Sequence, residues 1–82
     1  MNPKWVVKEV RPLENYKLLL LFESGEKKIY DCSPLLKYEI FEPLANKAFF
    51  DSVYTDGCTT VWNEDIDIDP ITLYQDSIPA NA

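Results

Sequence analysis

Seven residues constrain this chain more than any others: Tyr16-Lys17-Leu18-Leu19-Leu20-Leu21-Phe22. The run has the length of a strand and is short for a buried helix. Glu23-Ser24-Gly25 follows as a three-residue turn in which Gly25 can take positive φ, and Glu26 to Asp31 returns as a more polar strand. Along the first strand Tyr16, Leu18, Leu20 and Phe22 point to one face, and Leu19 and Leu21 to the other. A strand that is apolar on both sides belongs in the middle of a sheet, with cover on each face. Cover for the second face comes either from a short helix of the same chain or from a second subunit or partner. Leu19 and Leu21 are therefore the candidate partner-binding residues.

The flanking segments supply neighbours for this strand. Trp5 to Leu13 reads as a strand, and Pro12, unable to donate to a ladder, assigns it to an edge or marks its end. Glu14-Asn15 makes a two-residue link, Asn15 being tolerant of the left-handed conformation, so the first three strands form a meander. Ser33-Pro34 and Asp69-Pro70 each read as a helix cap followed by proline at the first helical position. Pro43 holds any helix through Ile40, Phe41 and Leu44 to a turn or two, and Asn46 caps another turn through Phe50. Asp56-Gly57, between Ser52–Thr55 and Cys58–Trp62, signals a second hairpin, after which Asn63-Glu64-Asp65 turns the chain. A last helical turn, Ile71 to Gln75, buries Leu73 and engages Tyr74. The expected fold class is α+β: a small antiparallel sheet of about five strands, a meander of three and then a hairpin, with two or three short helical turns. One domain is expected over residues 1–76, with 77–82 as a flexible C-terminal tail.

Composition narrows the chemistry. The net charge of −6 opposes direct nucleic-acid binding, where affinity comes mainly from neutralised phosphates, and equally opposes an anionic membrane. The longest unbroken apolar run is Leu18 to Phe22, far below the ~20 residues of a membrane span, and no targeting segment is visible, so a cytoplasmic location is expected. The chain contains no histidine, which removes Ser-His and Cys-His nucleophiles and the commonest general base. Two glycines cannot build a phosphate cradle. Cys32 and Cys58, without a CxxC, offer too few ligands for zinc and read as small apolar core or near-core residues. The expectation is a protein with no catalytic residues and no cofactor, and not an enzyme.

One cluster stands out, Glu64-Asp65-Ile66-Asp67-Ile68-Asp69. As a strand it would set Asp65, Asp67 and Asp69 on one side, where a hard divalent cation could take several oxygen ligands, giving a metal-binding protein or a carboxylate-based hydrolase as the alternative function. The calcium-loop pattern fails, because its sixth and twelfth positions, counted from Asp65, hold Pro70 and Asp76. A plainer assignment puts Asp65 in a turn, Asp67 in a turn or cap hydrogen bond and Asp69 at a helix cap. A cap contributes ~1 kcal/mol and accounts for the adjoining proline, so this assignment is preferred.

Residues 10 to 74 resemble the bacterial domain-of-unknown-function family 2442. The run is Val10-x-Pro12-Leu13-x-x-Tyr16-x-Leu18-x-Leu20-x-Phe22-x-x-Gly25-Glu26, then Tyr30-Asp31-x-x-Pro34-Leu35-Leu36 and Phe41-Glu42-Pro43-Leu44. It continues with Phe50, Val53 and Val61-Trp62 and closes on Asp67-Ile68-x-Pro70-x-x-Leu73-Tyr74. The resemblance implies a small α+β domain with an antiparallel sheet and no established catalytic residue. The family usually has glycine where this chain has Asp65, which implies a turn with unusual backbone angles there. Many members look like one half of a two-gene pair, beside a small uncharacterised or toxin-like protein. The function expected is a non-enzymatic protein-interaction module, antitoxin-like or an accessory partner of a small basic protein, with a protein partner or a second copy bound through Leu19 and Leu21.

Overall fold

A computed structural model describes residues 3–80. Three strands open the chain as expected: β1 (Val7–Pro12), β2 (Lys17–Phe22) and β3 (Lys27–Asp31), each antiparallel to the next. The loop after β2 has the expected geometry, with Gly25 at φ 92 and its amide donating to the Phe22 carbonyl. The link between β1 and β2 is longer than the expected two residues, running from Leu13 to Tyr16. Glu14–Tyr16 form a 3-10 turn in which both Asn15 and Tyr16 are left-handed. Tyr16 therefore leaves the strand. Its ring still reaches the core edge-to-face on Phe50, and its hydroxyl donates to the Ala45 carbonyl at 2.7 Å.

The middle third is helical in short pieces because prolines punctuate it. Ser33–Lys37 and Glu39–Ala45 are 3-10 turns, the second with Pro43 inside it, and α1 (Lys47–Phe50) is a single turn. Asn46 caps α1 as expected, its side chain accepting from the Phe49 amide. The cap expected from Ser33 is not formed. The turn starts one residue early, with Cys32 at the cap position and Ser33 already inside it, and the Ser33 amide and hydroxyl both donate to Asp31 Oδ1.

The second hairpin exists but does not join the first sheet. β4 (Tyr54–Thr55), β5 (Thr60–Asn63) and β6 (Ile66–Asp67) make a separate three-stranded sheet. Its first loop runs from Asp56 to Thr59, longer than the Asp-Gly pair suggests, because Asp56 Oδ1 accepts from the amides of both Cys58 and Thr59. Asn63 Oδ1 turns the chain into β6 by accepting from the Asp65 and Ile66 amides. Among the described residues the only left-handed positions outside glycine are Asn15 and Tyr16, so the strained turn implied at Asp65 is absent: the Asn63 side chain closes that loop with ordinary backbone angles. The two sheets meet where the Val7 amide donates to the Cys58 carbonyl and the Thr55 hydroxyl donates to the Val7 carbonyl.

α2 (Pro70–Asp76) begins on the Asp69 cap, whose carboxylate accepts from the Thr72 amide at 2.9 Å. The stretch expected to be a flexible tail is partly structured. Ser77 is buried, and β7 (Ile78–Pro79) pairs with Ile29 and Lys28 as a fourth strand beside β3, giving the order β1-β2-β3-β7. The open side of β3 still had unpaired backbone groups, and two residues suffice to engage them. Residues 81 and 82 of the expected tail lie outside the described residues.

All helical turns gather on one face of the larger sheet. Leu18, Leu20 and Phe22 are fully buried there with Val7, Cys32, Leu44 and Leu73, and Leu36, Phe41 and Tyr74 pack around them. Phe50 bridges to the small sheet through Trp62, whose indole N–H donates to the Phe50 carbonyl at 3.0 Å. Both cysteines are free; Cys32 is buried and Cys58 half-buried. Burial, reinforced by the neighbouring Asp31 carboxylate, pushes the Cys32 thiol up to about 12, and burial likewise raises Tyr30.

Two outcomes follow from this core. Leu20→Ala should lower the unfolding free energy by about 3 kcal/mol, whereas Leu19→Ala, on the opposite side of the same strand, should cost under about 1 kcal/mol; urea unfolding of the two variants makes the comparison. Cys32 and Tyr30 hold their protons more tightly when folded, so the stability this supplies is complete below the ordinary thiol value of 9.0 and lost as pH climbs towards the folded one. Urea midpoints should therefore fall between pH ~8.5 and pH ~11, and Cys32→Ala should flatten part of that slope; identical slopes would contradict the assignment.

Candidate functional site

The face of the larger sheet turned away from the helices carries the candidate surface. Cross-strand partners share a face, so the registers define it row by row. One row is Arg11, Leu19, Ile29 and Ile78; the next is Glu9, Leu21 and Lys27; Lys17 and Asp31 stand opposite each other beyond them. Leu19, Leu21 and Ile29 are half-buried and Ile78 is 63% exposed. Among the described residues none of these four joins the buried core or packs against it. Glu9, Arg11, Leu19, Leu21 and Lys27 line a groove across this face.

The expectation that β2 is central holds, and its inner side is sealed. The outer side is not covered by a helix among the described residues, because α1, α2 and the 3-10 turns send Phe50, Leu73 and Leu44 into the core on the inner face. Leu19 and Leu21, read from strand parity, are thus brought together with Ile29 and Ile78. Parity could have given Ile29; Ile78 could not be found this way, because its segment carries no strand signal beyond one isoleucine before a proline.

The acidic run is dispersed. Asp69 is occupied as a helix cap, Asp65 lies in the turn that Asn63 closes, and Asp67 is exposed in β6 without a cap hydrogen bond among the described residues. The structure does not draw the three carboxylates together, and among the described residues no group of three or more acidic or sulfur ligands is placed to hold a metal ion.

A polar cluster that sequence reasoning did not find ties α2 to the first hairpin. The Tyr74 hydroxyl and Ser24 hydroxyl both donate to Glu26 Oε1, and the Lys28 ammonium sits 4.1 Å from the Tyr74 ring centre while donating to the Tyr74 carbonyl at 2.8 Å. The Tyr74 and Ser24 hydrogen bonds lower the Glu26 carboxyl, and the bond to Glu26 raises the Tyr74 phenol. Its parts point inward at one another, with Tyr74 also edge-on to Phe22 at 4.9 Å, so the cluster acts as a clasp on α2. Its signal was Lys28, which strand parity puts on the core side, where a lysine needs partners. Asp31 is lowered in the same structural way, by the Ser33 amide and hydroxyl.

Among the described residues no helix is long and apolar enough to cross a membrane. No curated protein and no solved structure matches the chain. The model of a family described as a protein of unknown function, DUF2442, matches residues 7–79, a span from the first residue of β1 to the last of β7. On that match the chain belongs to the DUF2442 family.

Proposed function

We propose that this protein is a non-enzymatic protein-interaction module that binds through the outer face of its larger sheet. The observation that carries the reading is the contiguous row Leu19, Ile29 and Ile78 with Leu21 beside it, apolar and left open by the chain's own helices. Single exposed apolar residues are ordinary on any surface; adjacent ones across three strands, rimmed by Glu9, Arg11 and Lys27, mark a place for another surface. The absence of histidine and the dispersal of Asp65, Asp67 and Asp69 favour binding over catalysis. The finer role, an antitoxin-like or accessory partner, is supported by the family resemblance to halves of two-gene pairs.

The test is co-expression with the products of the adjacent genes, read by light scattering and by thermal unfolding. The wild-type chain should elute in an assembly, of whatever composition, and the Leu19→Asp/Leu21→Asp variant should be released from it while keeping a cooperative transition. A wild-type chain that is always a bare monomer, or a variant that no longer folds, would show that this face is not a binding surface.

A further inference from the structure

We propose that the outer face docks on a second copy of this chain, two sheets lying face to face about a two-fold axis that runs along β2. The inference rests on the reading of this face as a binding surface and names its occupant.

Self-complementarity resides in a single row. Glu9, Leu21 and Lys27 lie side by side on β1, β2 and β3, an acid at one end, a base at the other and a leucine between them. A two-fold axis along the central strand sets Leu21 against Leu21 and carries β1 of each copy over β3 of the other. Glu9 of each copy then meets Lys27 of the other, twice over. A two-fold interface requires this kind of reciprocal match. Both side chains are exposed, and among the described residues the one ion pair is Lys47–Asp51, so Glu9 and Lys27 have no such partner within the described chain. In the adjacent row Leu19 also falls near the axis, and the Arg11 stem can lie over Ile29 and Ile78 of the other copy with its charge at the rim.

Charge distribution favours a copy over a basic partner. Arg11, Lys17 and Lys27 against Glu9 and Asp31 leave this face one positive charge ahead, although the chain carries −6 overall. The residues outside this face share the remaining −7, so contacts between copies made elsewhere set acid against acid on balance, and this face is free of that net repulsion. A basic protein would be drawn to the acidic remainder. The edges of the sheet are poor alternatives: β1 is bulged between Val7 and Glu9 and ends at Pro12, and β7 is two residues long and ends at Pro79.

The experiment is sedimentation equilibrium of the purified chain from about 1 to 500 μM, with thermal unfolding of every variant recorded alongside. A dimer mass should be reached at the upper concentrations. Glu9→Lys and Lys27→Glu should each weaken association by about tenfold or more, and the combined swap should restore it, since the pair is rebuilt with its signs exchanged. A wild-type chain that stays monomeric throughout, or a double swap no better than the single changes, overturns the proposal. If the lone chain is monomeric yet Leu19 and Leu21 are needed to hold a co-expressed neighbour, the second copy is excluded and the binding surface stands. If Leu19→Asp/Leu21→Asp abolishes cooperative unfolding, the binding surface falls and the dimer with it.

Discussion

Burial of Leu18, Leu20 and Phe22 against the helical turns is the contact on which the architecture depends, since these side chains sit on the central strand and are wholly withdrawn from solvent. Fully burying a side chain of this size contributes about 1.5–3 kcal/mol. A small domain is held by only a few times that amount, so three such residues on one strand are a large share of what keeps it folded. The strand also organises its surroundings. Phe22 receives Tyr74 edge-on from α2, and Val7, its partner on β1, carries the backbone bonds that fasten the small sheet.

The helical pieces would not persist alone. α1 has four residues and α2 seven, well under the length at which an isolated helix becomes stable in water. What holds them is side-chain chemistry at their ends and packing on one side. Asn46 and Asp69 satisfy amides at the two starts, and Leu73 and Phe50 anchor the turns in the core. The Glu26–Tyr74–Lys28 clasp adds a polar fastening between α2 and the hairpin. Local signals therefore decide where each turn begins, and the central strand decides that it stays.

This division explains what was legible in the chain. Strand parity gave the inner and outer faces of β2, and the turn residues Gly25, Asn46 and Asp69 did what their types allow. Features set by competition between neighbours were not legible. Ser33 has the look of a cap, yet the turn begins on Cys32 and puts Ser33 inside it, donating back to Asp31. Asp56 lengthens the second hairpin by holding two amides, and the later strands form their own sheet, fastened to β1 where the Val7 amide donates to the Cys58 carbonyl. Ser77 to Pro79 offers no periodicity; it becomes a strand because β3 has an open side at the right distance from the end of α2. Of the surface, Leu19 and Leu21 follow from alternation alone, whereas Ile78 depends on that late pairing.

The contrast between the edges and the outer face of the larger sheet bears on how such a domain meets other molecules. An exposed edge is an indiscriminate template, since any strand can pair with it, and here a bulge, two prolines and a very short last strand blunt both edges. On the proposed reading the outer face is the discriminating one, because apolar rows accept only a surface of matching shape and charges penalise a wrong one. Lys28 lies on the same strand one residue from Lys27, and it is spent on the clasp inside the fold, while Lys27 is left exposed beside Leu21. Alternation along β3 thus turns one of two adjacent lysines towards α2 and leaves the other on the outer face. A chain that needed only solubility could have placed polar residues at Leu19, Leu21 and Ile29 without disturbing the inner face. Keeping apolar side chains there is consistent with a sheet whose second side is completed by another molecule.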